Sequence, residues 1–230
     1  RYEQSSPQEE ARRRENERIR ELMDRAGAFY AAMLWKADEA QEARDYLMGR
    51  GFPEDLLKAF RVGWAPRGGT ALSGRAIQEG FSREQLEQAG LARLRGGSAQ
   101  DFFQGRITFP ITDARGRVQG FGARTLDPNE RAKYVNSPES DRFRKRELLF
   151  GLDLARQAAA KAGFTVVSEG YTDVMGLHLA GVEGAVACMG TALTTAQLRL
   201  LARVAPEVRL CFDADRAGEE AARRTIEAAR

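Results

Sequence analysis

From Phe164 onward the chain repeats one pattern three times: a short apolar or β-branched run, then a segment with helical spacing. The runs are Thr165-Val166-Val167-Ser168, Ala185-Val186-Ala187-Cys188-Met189 and Val208-Arg209-Leu210-Cys211-Phe212. The helices are expected over about 172–179, 195–204 and from 217 to the end. Gly181 stops the first, and Thr194 or Thr195 caps the second. Consecutive strand–helix units argue for a parallel sheet covered by helices. This limits where chemistry can sit, because such sheets bind ligands beyond the carboxyl ends of their strands.

Two of those strand ends are acidic. The first run ends at Glu169-Gly170 and the third at Asp213-Ala214-Asp215, so acids 44 positions apart are expected at one sheet edge. Alternation puts Asp213 and Asp215 on one side if the strand continues through them. Asp173, four residues after Glu169, can face the same cluster. An acid that merely charges a helix start would also stand there, worth ~0.3–1 kcal/mol. Carboxylates sharing a site repel one another unless something neutralises them. A hard divalent cation such as magnesium does so and also takes substrate phosphates. Glu169, Asp173, Asp213 and Asp215 are therefore the candidate catalytic residues, three or four of which could share such a cation. The chemistry that needs this arrangement is phosphoryl or nucleotidyl transfer. Gly170 and Gly218 suit tight strand-to-helix turns at such an edge.

The first half has another texture. Residues 1–8 are polar and expected to be disordered. From Glu9 a helix is predicted, with Ile19, Leu22, Met23, Ala26, Phe29, Tyr30 and Met33 on its apolar stripe. Arg12-Arg13-Arg14, flanked by glutamates, reads as a solvated helix face. Shorter helices follow near 39–48, 54–60, 71–79 and 83–89. At Phe102 the pattern changes. Arg106–Ile111 reads as a strand, Asp113-Ala114-Arg115-Gly116 as a turn and Arg117–Gly122 as the returning strand. Residues 128–147 show no sustained period and read as a loop.

Net charge is only +3, but it is unevenly spread. Residues 1–101 carry 17 basic and 17 acidic side chains, residues 102–151 ten and six, and residues 152–230 nine and ten. A local excess of one sign is how a phosphate-binding surface looks in sequence. Arg106, Arg124, Lys133, Tyr134, Asn136 and Lys145 are the candidate nucleic-acid or nucleotide contacts, with Arg142, Arg144 and Arg146 nearby. Tyr134 and Phe143 are positioned to stack on bases. The plainer alternative is a solvated basic loop with Phe143 in a small core.

Two cysteines and one histidine exclude a disulfide scaffold and lack the close ligand pairs of a zinc site. Cys188 and Cys211 sit in apolar runs and are expected to be buried, and His178 to be structural. The apolar runs are far shorter than the ~20 residues of a membrane span. The N-terminus shows no signal core, so a cytoplasmic protein is expected.

The motifs together resemble a known family. Glu169-Gly170-Tyr171-Thr172-Asp173-Val174 and Phe212-Asp213-Ala214-Asp215-Arg216-Ala217-Gly218 look like the two main motifs of the toprim fold. Gly105–Ile111, Gly120–Arg124, Lys133–Glu139, Phe143-Arg144-Lys145 and Leu149-Phe150-Gly151 resemble, in order, the core of DnaG-type bacterial primases. The resemblance covers about Glu15 to the end. It implies an α/β chain: an α+β basic subdomain over 1–151, then a toprim-type parallel sheet flanked by helices over 152–230, incomplete at its C-terminal side. It implies a DNA-directed RNA polymerase that makes short RNA primers in the cytoplasm at the replication fork. Its partners would be single-stranded DNA template, RNA–DNA hybrid and ribonucleoside triphosphates, and its cofactor Mg²⁺ or Mn²⁺, two or more ions. Glu169, Asp213 and Asp215 would bind the ions, with Asp173 in or beside their shell. A zinc-binding module would precede residue 1. A module that binds the replicative helicase, and further toprim acids, would follow residue 230. Such a fragment is expected to bind metal and nucleic acid yet to prime weakly or not at all alone. Ala214 stands where glycine is common in the motif.

Two other readings compete. One is a non-catalytic nucleic-acid-binding module whose acids only shape electrostatics. The other is a toprim nuclease or topoisomerase fragment. No tyrosine here has the context of a topoisomerase nucleophile, and the ordered basic motifs over 105–151 favour priming over cleavage.

Overall fold

A computed structural model describes residues 6–140, 143–190 and 192–229. Arg142 of the basic block and the first five residues lie outside the described residues. The first helix, α1 (Pro7–Lys36), begins earlier than the apolar stripe predicts. Ser6 and Glu9 form a reciprocal cap, with Ser6 N–H donating to Glu9 at 2.8 Å and Glu9 N–H to Ser6 Oγ at 3.2 Å. Pro7 then occupies the first turn, where its missing N–H leaves nothing unsatisfied. Pro7 and Gln8 are thus helical, contrary to the disorder expected of them.

After a 3₁₀ turn (Asp38–Ala40) come α2 (Gln41–Gly49), α3 (Glu54–Ala59), β1 (Gly63–Ala65), α4 (Ala71–Gln78) and α5 (Arg83–Gln88). Next are β2 (Ala92–Arg95), β3 (Ser98–Asp101), β4 (Arg106–Thr112), β5 (Val118–Thr125) and β6 (Tyr134–Asn136). Strands β1, β4, β5 and β6 form an antiparallel sheet in the order β1-β4-β5-β6, and β2–β3 is a separate hairpin. The predicted hairpin is therefore the centre of a larger sheet, and part of the predicted loop is its edge strand β6. Tyr30 of α1 packs its ring edge-on to Phe121 at 5.3 Å and to Phe103 at 6.5 Å, which fixes α1 across this sheet.

The second half begins with α6 (Leu152–Ala162), an element without a predicted counterpart, bounded by left-handed Gly151 and Gly163. It continues with β7 (Phe164–Ser168), α7 (Tyr171–Leu179), β8 (Ala185–Ala187), α8 (Thr195–Ala202), β9 (Glu207–Leu210) and α9 (Arg216–Ala228). The three strands are parallel, in the order β8-β7-β9, so their carboxyl ends share one edge as expected. Thr194 is the α8 cap. Strand β9 lies at the sheet edge and alternates exposed and half-buried residues. Consequently Cys211, just past it, is exposed rather than buried, whereas Cys188 is fully buried.

The two halves share a core. Trp64, Phe109, Phe143 and Phe150 pack in one cluster with Tyr171, Val174, Met175 and Met189. Phe150 meets Phe60 at 5.6 Å and Tyr171 at 4.9 Å, and its backbone bridges to Ala187 at the end of β8. Phe143 is 2% exposed, and its ring fills the space beside Gly120. It cannot stack on a base, so the core alternative for Phe143 holds.

Candidate catalytic edge and the Arg124 cleft

The parallel strands deliver their acids to one edge. Glu169 follows β7 directly, and its Oε1 accepts the backbone N–H of Asp213, three residues past β9, at 3.0 Å. This bond spans the 44 positions between the two acids. Asp215 caps α9, its Oδ1 accepting Gly218 N–H at 2.8 Å. Gly218 is required there by close approach: a Cβ would lie 2.1 Å from the Asp213 carbonyl oxygen and 3.0 Å from Glu169 Oε1. Asp173 turns back on its own helix start, accepting Gly170 N–H at 2.9 Å. That is the ordinary capping role weighed for it. Met189, beside this edge, holds a left-handed backbone (φ +64°), rare for a residue with a side chain, and the next residue, Gly190, donates to the Glu169 carbonyl at 3.1 Å.

Among the described residues no three acids, histidines or cysteines stand close enough together to enclose a metal ion. Glu169 and Asp215 each direct one oxygen to a backbone N–H instead. The donor set still fits a hard cation. Glu169 Oε2, both Asp213 carboxylate oxygens and Asp215 Oδ2 accept no hydrogen bond among the described residues. All four are carboxylate oxygens at an accessible edge, the ligand type magnesium and manganese take.

The basic residues divide. Arg106 is 8% exposed and committed to the protein, donating to Glu130 at 2.8 Å and to the Ala132 carbonyl at 2.9 Å. This corrects its expected place in an open groove: as the first residue of a strand paired on both sides, it braces the following loop. Arg124 is equally buried, yet its Nε and Nη1 have no hydrogen-bond partner among the described residues. Its guanidinium lies 4.0 Å over the Tyr46 ring and 5.8 Å from the Tyr134 ring. It lines a cleft of about 420 Å³ with Tyr46, Lys133 and three acids, Glu42, Asp127 and Glu130, the last of which is paired with Arg106. Lys133 is exposed, and Tyr134 is 42% exposed at the sheet edge. Asn136 is not free on its oxygen: Oδ1 accepts the Tyr171 hydroxyl at 2.5 Å.

Lys145 is half-buried. Burial lowers its pKa, with the charges of Cys188 and Glu139 opposing that effect. Cys188 in turn donates its thiol to the Ser168 carbonyl at 3.4 Å, immediately before Glu169. Three residues passed over in the sequence belong to this region: Tyr46, Arg50 and Tyr171. Arg50 donates to the Tyr46 hydroxyl at 2.9 Å, an i,i+4 pairing at the end of α2 that the spacing alone could have shown.

Comparison with known proteins agrees with this geometry. Residues 29–156 match the family described as "DNA primase catalytic core, N-terminal domain", and residues 166–230 match a "Toprim-like" family. The chain is 45% identical over 216 residues to a DNA primase of Synechococcus elongatus, covering 91% of this chain and 31% of that protein. It is 46% identical over 182 residues to one of Deinococcus radiodurans, covering 78% and 32%. The chain thus spans about a third of the length of the curated relatives it matches. Among solved structures it is similar to the RNA polymerase domain of Mycobacterium tuberculosis primase DnaG, with a TM-score of 0.86, 41% identity and coverage of 92% and 71%. It is also similar to a DnaG primase catalytic domain bound to single-stranded DNA, with a TM-score of 0.85, 38% identity and coverage of 94% and 67%.

Proposed function

This chain belongs to the DNA primase catalytic-core family, and from that premise we propose that it is the part of a primase that holds template and carries out nucleotidyl transfer. The enzyme's task is to build short RNA primers on single-stranded DNA. The observation that carries the reading is the meeting of Glu169 with Asp213 across the carboxyl ends of β7 and β9, in a chain whose first half buries Arg124 with two guanidinium nitrogens that meet no acceptor among the described residues. The boundary between the template-binding and toprim parts falls at residues 151/152, with the two parts joined by a shared core.

In the proposed step a ribose 3′-hydroxyl attacks the α-phosphorus of the next ribonucleoside triphosphate. A new oxygen–phosphorus bond forms and pyrophosphate leaves. Glu169, Asp213 and Asp215 would hold magnesium or manganese, which supplies charge relief and activates the hydroxyl when bound. Glu169 does a second job in this reading, tying β7's end to β9's end and so keeping the acids at a fixed separation. Arg124, Lys133 and Lys145 attract and orient phosphates. Tyr134 offers its face to a template base. Asp173 acts through the α7 cap. Arg106 contributes by bracing the loop that carries Lys133. The template, the primer hybrid and the triphosphates are the proposed ligands, the replicative helicase a proposed partner of the longer protein, and the cytoplasm its proposed location. Among the described residues no helix is long and apolar enough to cross a membrane.

The test is template-dependent ribonucleotide incorporation by the full-length parent. Activity is expected, with a loss of at least about a hundredfold in Glu169→Gln and in Asp213→Asn. A parent that cleaves DNA and makes no RNA would overturn the reading in favour of a nuclease. One that binds DNA and does neither would overturn it in favour of a binding module.

A further inference from the structure

Tyr171 opens α7 two residues after Glu169, yet its side chain belongs to the other half of the molecule. It is 5% exposed. Its ring stacks on Phe109 at 4.9 Å and 4° and meets the edge of Phe150 at 4.9 Å and 90°. Aromatic packing alone would account for a phenylalanine at this position. The hydroxyl needs another explanation, because a buried phenol costs stability unless it finds a partner. It finds one in Asn136 Oδ1, at 2.5 Å.

The surroundings are shaped for this bond. Asn136 on β6 pairs with Gly122 on β5. A Cβ on Gly122 would lie 2.1 Å from the Tyr171 hydroxyl oxygen, so the missing side chain is the space that the phenol enters. Asn136 ends the short strand that begins at Tyr134, directly after Lys133, and Tyr134's ring is 6.2 Å from that of Tyr171. One hydrogen bond thus connects the turn bearing Glu169 to the strand bearing the candidate template contacts.

We propose that Tyr171 is a positioning residue whose hydroxyl, through Asn136, sets the Glu169–Gly170 turn in register with β6, so that the acid edge and the template-binding strand keep one fixed geometry. The inference rests on the function proposed above. Without the hydroxyl the ring still packs and the fold persists, but the turn can shift against β6. Small misplacements of reacting groups lower the rate of the chemical step more than they lower binding.

The variant that isolates the hydroxyl is Tyr171→Phe in the full-length parent. Turnover is expected to fall about tenfold, with KM for template and triphosphate within about twofold. In this chain, hydrogen exchange at the Asp213 amide, which donates to Glu169, is expected to quicken in Tyr171→Phe and in Asn136→Leu. It should quicken no further in the double variant, because both changes remove the same bond. Asn136→Asp, which keeps an acceptor, should restore slow exchange. If Tyr171→Phe leaves both turnover and exchange at wild-type values, whatever its melting temperature, Tyr171 only packs and the proposal is wrong. If the parent makes no RNA, the functional reading fails, and the exchange series still decides the role of Tyr171.

Discussion

Arg124 carries its positive charge into a site where two guanidinium nitrogens meet no acceptor among the described residues. The Tyr46 ring lies against it at 4.0 Å and the Tyr134 ring at 5.8 Å. Burying donors without acceptors is costly, and a phosphate in the adjoining cleft would supply them. Arg124→Met keeps most of the volume and removes the charge. Its affinity for single-stranded DNA, measured by fluorescence anisotropy, is expected to drop about tenfold, and the salt dependence of binding to lose about one unit of slope. Its melting temperature should hold or rise. A lower melting temperature with unchanged DNA affinity would mean that the charge serves the fold alone. Arg106 shows why residue type did not separate these two roles. Both are arginines in neighbouring strands, paired near each other in the same ladder, and both are 8% exposed. They differ only in whether Glu130 and the Ala132 carbonyl reach them. Phe143 and Cys211 illustrate the same limit, since apolar neighbours in sequence do not say which face of an element will be covered.

At the scale of the element, α7 is held at both ends. Asp173 caps its start and Tyr171 locks it to β6, while near its end His178 Nε2 contacts the Ala185 carbonyl at 2.9 Å and the ring meets Phe60 edge-on at 4.9 Å. Burial lowers the His178 pKa below 6.5, with the Ala185 bond and Glu183 opposing. The unfolded chain therefore takes up this proton before the folded one does. Stability contributed at this site is fully present above about pH 6.5 and is lost as pH falls from there through the folded pKa. His178 is the only histidine, so the effect can be read directly. Denaturant midpoints measured from pH 7.5 to 5 should fall in the wild type and fall less in His178→Asn; parallel pH profiles would contradict this. Long amphipathic elements such as α1, and the β4–β5 hairpin with its Asp-Ala-Arg-Gly turn, were legible because their period and turn chemistry are local. The strands β1, β2, β3 and β6 were not. Each is three or four residues long and exists because a partner strand pairs with it, as Gly63–Ala65 does with Arg106–Thr108. Helix α6 was missed because an alanine-rich stretch carries little contrast between its faces.

Across the whole molecule, the acid edge and the Arg124 cleft belong to one body because the two halves share one core. Phe150 sits at that junction, fully buried against Phe60, Phe109 and Tyr171. Phe150→Ala is expected to cost about 3–5 kcal/mol. Both tryptophans, Trp35 and Trp64, lie in the first half, so fluorescence reports on it while far-UV circular dichroism reports on the entire chain. The two unfolding curves should coincide in the wild type and shift together in the variant. Separate transitions would show that the halves fold independently. The sequence by itself determined the parallel sheet and the shared edge at which the strands followed by Glu169 and by Asp213-Ala214-Asp215 end. These follow from local periodicity and from the rule that parallel strands end on one side. Only the tertiary structure decided which arginine stays unpartnered, that Asp173 and Asp215 cap helices, and that Tyr171 reaches Asn136 through the gap left by Gly122. Those outcomes depend on which distant groups arrive within about 3 Å of one another, and hydrogen bonding acts only over that range.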